Sequence, residues 1–164
     1  MTFHSAISTP VGRVSVVSDG AAITRVFWQT DAAGPRADSD DPLLREALSQ
    51  LDAYFTGRLT SFDLPVDLGR QTEATHAVLT ALHDTVAFGE SVTYGQLATR
   101  SGTAVPARGI GAIMGANPVP LIVPCHRVIA GDGLGGYSGG AKGEGLLTKR
   151  WLLEHEGALP AALF

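Results

Sequence analysis

The chain contains 164 residues, 45% of them hydrophobic, and has a formal net charge of −4. This length is enough for one domain or two small ones with an adequate hydrophobic core. The negative charge argues mildly against a generic nucleic-acid binder, although Arg100–Arg127 holds three arginines and no acidic residue.

The sequence shows no sign of export or membrane insertion. Its first residues lack the basic stretch and the apolar run of a secretory signal, and no segment is long enough to span a bilayer. A single cysteine, Cys125, excludes an internal disulfide and a zinc site made of four cysteines. We therefore expect a soluble cytoplasmic protein.

Residues 2–28 predict short β-strands in a meander or a pair of hairpins. Apolar and polar residues alternate in Arg13–Ser18, and turns are indicated at Pro10–Gly12 and Asp19–Gly20. The polar residues 29–41 that follow predict an exposed loop.

A helix is predicted after this loop, because Asp41 is suited to be its N-cap and Pro42 its first residue. Leucines and Phe55 recur there at helical spacing, and Gly57 is expected to end the helix. A short strand is predicted near Phe62–Leu64.

The polar stretch Asp67–Thr72 predicts a domain boundary. It divides the chain into an N-terminal domain, residues 1–72, and a C-terminal domain, residues 73–164. The N-terminal domain is expected to combine a small sheet with a helix, and the C-terminal domain to be mainly helical. The predicted fold class is therefore α+β.

Three helices are predicted in the second half. The first covers Glu73–Val86. The second covers Tyr94–Arg100, where Thr93 and Gln96 form a capping-box pattern, and the third begins at Pro106 and runs through Met114. Two short helices around a glycine-containing turn follow the helix-turn-helix plan, but many proteins that bind no DNA share this spacing.

The last of these helices has little side-chain bulk. Its small residues are Ala107, Gly109, Gly111, Ala112, Gly115 and Ala116. Each glycine inside a helix costs about 1 kcal/mol relative to alanine, so either another molecule approaches the backbone or another helix packs tightly against it. Arg108, in contrast to these small residues, has a long and positively charged side chain, which favours an anionic partner or a stacked base.

Cys125 stands between Pro124 and His126. The thiolate is the nucleophilic form, and a neighbouring base or positive charge makes it available. A lone cysteine is more commonly a small buried apolar residue, so the Cys-His pair alone leaves both interpretations open.

Five segments in order resemble motifs of the O6-alkylguanine-DNA alkyltransferase family, the methylated-DNA–protein-cysteine methyltransferases. They are Val92–Ala98, Ala107–Gly111, Pro124–Val128, Gly136–Gly140 and Trp151–Gly157. Residues 1–70 resemble the family only in length and in their strand-then-helix plan. The resemblance implies that the C-terminal domain carries a winged-helix-like helix-turn-helix DNA-binding unit together with the active-site cysteine.

The resemblance implies direct-reversal DNA repair. Cys125 attacks the alkyl carbon on guanine O6 and keeps the group as a thioether, so each molecule acts once. His126 takes the thiol proton through a water, and Glu156 orients the imidazole, as in a hydrolytic triad. Tyr94 gives a proton to the ring of the leaving guanine. No cofactor and no metal ion are implied.

The same resemblance implies the substrate-binding residues. The backbone N–H of Ser138 contacts O6, and Tyr137 and Gly139 belong to the loop that closes over the base. The backbone carbonyls of Cys125 and Val128 receive the exocyclic amine, which selects guanine.

The implied partner is double-stranded DNA that contains O6-alkylguanine, and O4-alkylthymine as a further adduct, without an obligate protein partner or a membrane. The damaged nucleotide is flipped out, Arg108 fills its place, and the small-residue helix enters the minor groove. The helix residues implied to contact DNA beside Arg108 are Ala107, Gly111, Ala112 and Gly115. Asn117 is implied to hold the turn before Cys125, and a monomer is expected.

Three departures from the family pattern stand out. The segment Ala141–Thr148 is longer than the usual spacing, which can reshape the rim of the pocket. Gly115 stands where some members carry a basic residue, which can weaken DNA affinity. The cysteines of the zinc site and the regulatory domain in some relatives are absent, since Cys125 is the only cysteine.

Two other functions fit parts of the pattern. One is a module that recognises alkylated DNA and recruits other factors, but such proteins lack the cysteine. The other is a cysteine hydrolase with a Cys-His-Glu triad, which gives no reason for the helix that carries Arg108.

Overall fold

The structure is a computed structural model that describes residues 2–29 and 40–159. In chain order its elements are β1 (Phe3–Thr9), β2 (Gly12–Ser18), β3 (Ile23–Trp28), α1 (Pro42–Phe55), α2 (Glu73–Thr85), β4 (Val92–Thr93), α3 (Tyr94–Ser101), α4 (Ala107–Gly115), a 3₁₀ turn (Cys125–Arg127), β5 (Val128–Ile129) and α5 (Gly145–His155). The predicted α+β class is confirmed. None of the described helices is long and apolar enough to cross a membrane.

The first three strands form an antiparallel sheet in the order β1-β2-β3, which confirms the predicted meander. Helix α1 packs on this sheet. Asp41 caps α1 as predicted, because its Oδ2 accepts the backbone N–H of Leu44 at 3.0 Å and the hydroxyl of Ser18 at 2.6 Å. Most of the loop predicted at 29–41 lies outside the described residues.

The strand predicted near Phe62–Leu64 is wrong. The side chain of Gln50 forms hydrogen bonds with the backbone of Asp63: its Oε1 accepts the Asp63 N–H at 2.9 Å, and its Nε2 donates to the Asp63 carbonyl at 3.1 Å. Pairing with the sheet occurs further along the chain, where Val66 forms a parallel bridge with Ile23. A side chain therefore satisfies the backbone that the strand prediction assigned to a sheet.

The helix-turn-helix pair has the predicted local structure. Thr93 and Gln96 form a complete capping box at the start of α3, with N–H···O distances of 3.1 and 2.9 Å. Gly102 ends α3 in the left-handed conformation, and Pro106 is the N-cap of α4. Helix α4 buries Ile110 and Met114 and leaves Ala107, Ala112 and Gly115 exposed.

One hydrophobic core joins the first and second halves of the described chain. It combines side chains of the sheet, α1, α2 and α5 with the residues before Cys125. Val26 of β3 donates its backbone N–H to the Pro118 carbonyl at 2.9 Å, which attaches the sheet to the segment that leads into Cys125. Helix α5 begins at Gly145, so it includes the second half of the segment Ala141–Thr148.

Candidate active site

Cys125 begins a 3₁₀ turn at the end of a tightly folded segment. Asn117 holds this segment at both ends, because its Nδ2 donates to the Val123 carbonyl at 2.8 Å and its Oδ1 accepts the Val119 N–H at 3.1 Å. Leu121 is buried between them with φ at +76°, a conformation that non-glycine residues rarely adopt. The contacts of Asn117 fit the structural role predicted for it.

A cavity of about 380 Å³ lies in front of the cysteine. This volume is in the range of small-molecule pockets. Its lining residues are Tyr94, Gly111, Met114, Gly115, Cys125, Gly136, Tyr137 and Ser138. The structure therefore brings the predicted nucleophile together with Tyr94 and Ser138 and with two glycines of α4.

Tyr94 is half-buried and packs against a glycine that the sequence analysis did not single out. A Cβ at Gly135 would lie 2.6 Å from the Tyr94 hydroxyl, and Gly135 has φ at +72°. Both features exclude a larger residue there. Gly135 therefore lets the tyrosine hydroxyl lie directly against the loop that precedes Ser138.

Tyr137 forms another wall of the cavity. Its hydroxyl is buried and has no hydrogen-bond partner among the described residues, and burial raises its pKa well above the ordinary value. Its ring packs edge-on against Trp28 of β3, with ring centroids 6.1 Å apart. The N-terminal sheet thus supports this wall of the cavity.

His126 is fully buried behind the cysteine. Its Nε2 lies 2.7 Å from Glu156 Oε2, and its Nδ1 has no partner among the described residues. Burial lowers the pKa of His126, although Glu156 opposes the shift, so the resting imidazole is neutral. An ionised carboxylate only accepts hydrogen bonds, so Nε2 carries the hydrogen and Nδ1 is free to accept a proton.

Glu156 follows the last residue of α5, and its carboxylate is fully buried. Oε2 accepts from the Tyr54 hydroxyl at 2.5 Å and faces His126, while Oε1 accepts from Arg127 Nε at 2.7 Å. Burial alone raises the pKa of Glu156, but the hydrogen bonds and charges of His126 and Arg127 outweigh it and lower the pKa to about 2. Glu156 is therefore an anion at neutral pH.

The cysteine itself is a thiol at rest. Cys125 is 4% exposed, and burial raises the pKa of the thiol, with a hydrogen bond from Asn117 and the charge of Lys149 opposing. The thiolate is the reactive form, so a base has to take the proton when the reaction occurs. His126, the next residue in the chain, has an unused acceptor nitrogen for this purpose.

Lys149 joins α5 to the cysteine turn. Its fully buried ammonium donates to the carbonyl of Val128 at 2.6 Å and to that of Gly136 at 2.9 Å. Burial lowers its pKa to about 8, with the charge of Cys125 opposing. The Val128 carbonyl, which we predicted to receive the guanine amine, therefore already uses one of its two lone pairs.

Not every predicted residue lies on the cysteine cavity. Val128 contributes no surface to it. Gly139 lines a larger groove of about 880 Å³ between β3 and the start of α5, which shares Gly115, Tyr137 and Ser138 with the cavity. His126 and Glu156 are fully buried and do not line the cavity.

Helix α4 presents an exposed face beside the cavity. Ala107, Arg108, Ala112 and Gly115 are exposed, and Ala107, Arg108 and Gly111 line a shallow depression together with Tyr94. Arg108 has no hydrogen bond or ion pair to the residues that the structure describes.

The glycines of α4 have two different explanations. A Cβ at Gly109 would lie 2.8 Å from Val105 Cγ1, so internal packing requires this glycine. A Cβ at Gly111 would make only an ordinary contact with Tyr94, and one at Gly115 would meet nothing within 4 Å. Nothing in the described protein requires these two to be small, which favours close approach by another molecule.

Four residues of this arrangement were not assigned a role from the sequence: Tyr54, Arg127, Gly135 and Lys149. Lys149 carried a signal, because it shares the buried face of α5 with Leu152 and Glu156 at helical spacing. No group of three or more histidine, cysteine, aspartate or glutamate residues within 2–29 and 40–159 could hold a metal ion.

Two family models match the chain. The DNA binding domain of 6-O-methylguanine DNA methyltransferase matches residues 73–158, and the ribonuclease-like domain of the same family matches residues 2–68.

Similar proteins come from bacteria and mammals. The methylated-DNA–protein-cysteine methyltransferase of Mycobacterium tuberculosis is 39% identical over 160 residues, which cover 95% of this chain and 93% of that protein. The rat protein of the same name is 42% identical over 123 residues, which cover 71% of this chain and 56% of the rat protein.

Solved structures agree with these matches. The crystal structure of M. tuberculosis O6-methylguanine methyltransferase superposes with a TM-score of 0.81 at 36% identity, covering 98% of this chain and 96% of that one. A crystal structure of the M. tuberculosis protein in complex with DNA superposes with a TM-score of 0.79 at 36% identity, covering 97% and 96%. The chain belongs to the 6-O-methylguanine DNA methyltransferase family.

Proposed function

We propose that the protein repairs alkylated DNA by transferring the alkyl group from guanine O6 to Cys125, where it stays. The observation that carries this proposal is the position of Cys125, which lines a cavity of about 380 Å³ and directly precedes, in the 3₁₀ turn, His126 of the buried His126–Glu156 pair. The family match and the DNA complex of the M. tuberculosis relative support DNA as the partner.

The chemistry is a displacement at the alkyl carbon. The bond from Cys125 sulfur to carbon forms while the bond from carbon to O6 breaks, and the electron pair stays on the guanine. The thiol proton passes through a water to His126 Nδ1, which has no hydrogen-bond partner among the described residues, and Glu156 stabilises the imidazolium. Tyr94 supplies a proton to the guanine ring, and the Ser138 N–H contacts O6.

A thioether does not hydrolyse under these conditions, so each molecule acts once. Because Cys125 is 4% exposed, its sulfur cannot contact a base that remains stacked in a duplex. The damaged nucleotide therefore leaves the stack before it reacts. The exposed small residues of α4 let the helix approach the minor groove, where bulky side chains fit poorly.

Mass spectrometry of the intact protein after incubation with a duplex carrying one O6-methylguanine tests this function. We expect one methyl group per protein molecule, located on Cys125 by peptide mapping, and a plateau at one equivalent when the DNA is in excess. The same duplex with unmodified guanine is the control. Tight lesion binding without a methyl adduct would favour a recognition module, and repeated turnover would favour a hydrolase.

Arg108→Ala is expected to slow alkyl transfer on duplex DNA but not on free O6-benzylguanine, because only the duplex requires a flipped nucleotide and a filler for its place. Flipping involves a few kcal/mol of unstacking, so we expect a loss of about tenfold or more on the duplex. The rate constants of alkyl transfer to the protein from both substrates measure this.

Arg58→Ala is the matched control for Arg108→Ala. It removes the same charge from an exposed arginine, whose partner is Asp52 at 3.0 Å, and should leave both rate constants unchanged. An equal loss on both substrates for Arg108→Ala would refute the filler role.

Several finer statements belong to the same proposal. We infer that O4-alkylthymine is a further substrate, and that the protein acts as a monomer in the cytoplasm. The division into domains of residues 1–72 and 73–164 is supported by the two family matches, which end at residue 68 and begin at residue 73.

A further inference from the structure

Tyr54 lies in α1, and in the sequence it is far from every motif that supplies the active site. It is separated from Glu156 by 102 positions in the chain, yet its hydroxyl donates to Glu156 Oε2 at 2.5 Å. The side chain is 1% exposed. A residue of the N-terminal part of the chain thus contacts the carboxylate that we assign to the proton relay.

The packing around Tyr54 leaves its ring little freedom. The rings of Phe55, Phe88 and His155 meet it edge-on, with centroid distances of 5.1, 6.2 and 5.2 Å. His155 Nε2 also lies 2.7 Å from the Tyr54 carbonyl. The position of the phenol oxygen is therefore set by the core and not by Glu156 alone.

The phenol and the imidazole share one carboxylate oxygen. Oε2 accepts from the Tyr54 hydroxyl and faces His126. Arg127 binds mainly to Oε1, through Nε at 2.7 Å, and its Nη2 makes a longer contact of 3.3 Å with Oε2. Burial and the adjacent carboxylate raise the pKa of Tyr54, so the phenol stays protonated and remains a donor at every pH of interest. A fixed donor on Oε2 limits both the rotation of the carboxylate and the negative charge that it offers to the imidazole.

We propose that Tyr54 is a positioning residue for alkyl transfer: it holds the Glu156 carboxylate against His126, so that the N-terminal part of the chain supplies one member of the proton relay. This inference rests on the proposed function. The relay then consists of Cys125, His126, Glu156 and Tyr54, and the last of these never touches the substrate.

The proposal has a specific consequence for the pH dependence. Without the phenol, Oε2 loses a donor and the carboxylate attracts a proton on His126 more strongly. The other charged groups that act on His126 are Arg127 of the same turn and Lys149 of α5, and both lower its pKa. They are unchanged in Tyr54→Phe, so the pKa of His126 should rise.

Tyr54→Phe is expected to reduce the rate constant of alkyl transfer at saturating DNA by about tenfold, from the loss of one hydrogen bond to a charged group. The dissociation constant for the lesion-containing duplex should stay unchanged. His126 accepts a proton only when neutral, so the acid limb of the pH–rate profile should move to higher pH. Single-turnover rates measured at several DNA concentrations and across the pH range give the rate constant, the dissociation constant and the acid limb.

Phe88→Leu is the matched control. It disturbs the packing on the same tyrosine ring but removes no polar contact of Glu156, so its acid limb should coincide with that of the wild-type protein. The proposal is overturned if Tyr54→Phe keeps the wild-type rate constant, or if its rate constant falls equally at every pH while the acid limb stays in place. The second result would assign Tyr54 to stability alone.

A second readout does not depend on alkyl transfer. NMR of protein with isotope-labelled histidine nitrogens reports the titration of His126 directly. In Tyr54→Phe that titration should move to higher pH than in the wild type, and an unchanged titration would overturn the inference. If the wild-type protein transfers no alkyl group, the proposed function fails, while the NMR comparison still decides whether Tyr54 acts on His126.

Discussion

Cys125→Ser is expected to abolish alkyl transfer while binding of the lesion-containing duplex persists. Serine is nearly the same size as cysteine, so the cavity and the face of α4 keep their shape. Its hydroxyl is far less acidic than a thiol, and the neutral His126 cannot generate a comparable nucleophile. Intact-mass measurement should show no adduct, and fluorescence anisotropy should give a dissociation constant within about twofold of the wild-type value.

A double variant controls for the mere presence of a thiol. Cys125→Ser combined with Ser101→Cys moves the only cysteine of the chain to the last residue of α3, which does not line the cavity. This thiol should acquire no alkyl group from the duplex. Alkyl transfer by Cys125→Ser itself, or by the relocated thiol at the wild-type rate, would contradict the proposed mechanism.

Local sequence signals predicted the local structure well. Asp41 and the Thr93–Gln96 pair were assigned as helix caps, and both make the expected backbone hydrogen bonds. Such contacts join residues three positions apart, so the spacing contains all the information that is needed. The strand near Phe62–Leu64 was wrong because Gln50, more than ten positions away, satisfies that backbone.

The residues of the site likewise include some that local sequence predicted and some that only the fold brings together. Cys125 and His126 are adjacent in the chain, and the resemblance to a known family placed Glu156 with them. Tyr54 could not be predicted, because its contact with Glu156 spans 102 positions and its spacing within α1 is that of an ordinary core residue. For Lys149, the helical spacing with its buried neighbours indicates burial, but it does not identify the groups to which the ammonium donates.

The sequence left two interpretations of the small-residue helix open, and the structure separates its glycines by what surrounds each of them. Internal packing explains Gly109, and open space beside the cavity at Gly115 is left for another molecule. The sequence alone could not separate these cases, since both need a residue without a side chain. The distinction appears only when the neighbours of each Cβ position are known.

Glu156→Gln is expected to reduce both stability and activity. The carboxylate accepts from Tyr54, His126 and Arg127, and an amide offers one acceptor oxygen and one donor group in its place. At least one of these donors then faces another donor, and the buried Arg127 loses its counter-charge. Removing one member of a buried ion pair costs about 3–5 kcal/mol.

The same variant should slow alkyl transfer by about 100-fold or more, because His126 loses the anion that stabilises its protonated form. Single-turnover rates and the free energy of unfolding in urea measure the two effects. Glu154→Gln is the matched control, since Glu154 lies on α5 in an exposed pair with Arg150 at 3.0 Å. Its free energy of unfolding should change by less than about 1 kcal/mol.

Acid titration tests the charge of the buried carboxylate through the pH dependence of stability. The pKa of Glu156 is lowered to about 2 in the folded protein, so its contribution to stability is present above its ordinary pKa of about 4.5 and is lost as the pH falls toward 2. This shift corresponds to about 3 kcal/mol for a fully buried group. The wild-type protein should lose that stability in this window, and Glu156→Gln should lose much less. Equal acid sensitivity of the two proteins would show that the Glu156 charge does not stabilise the fold.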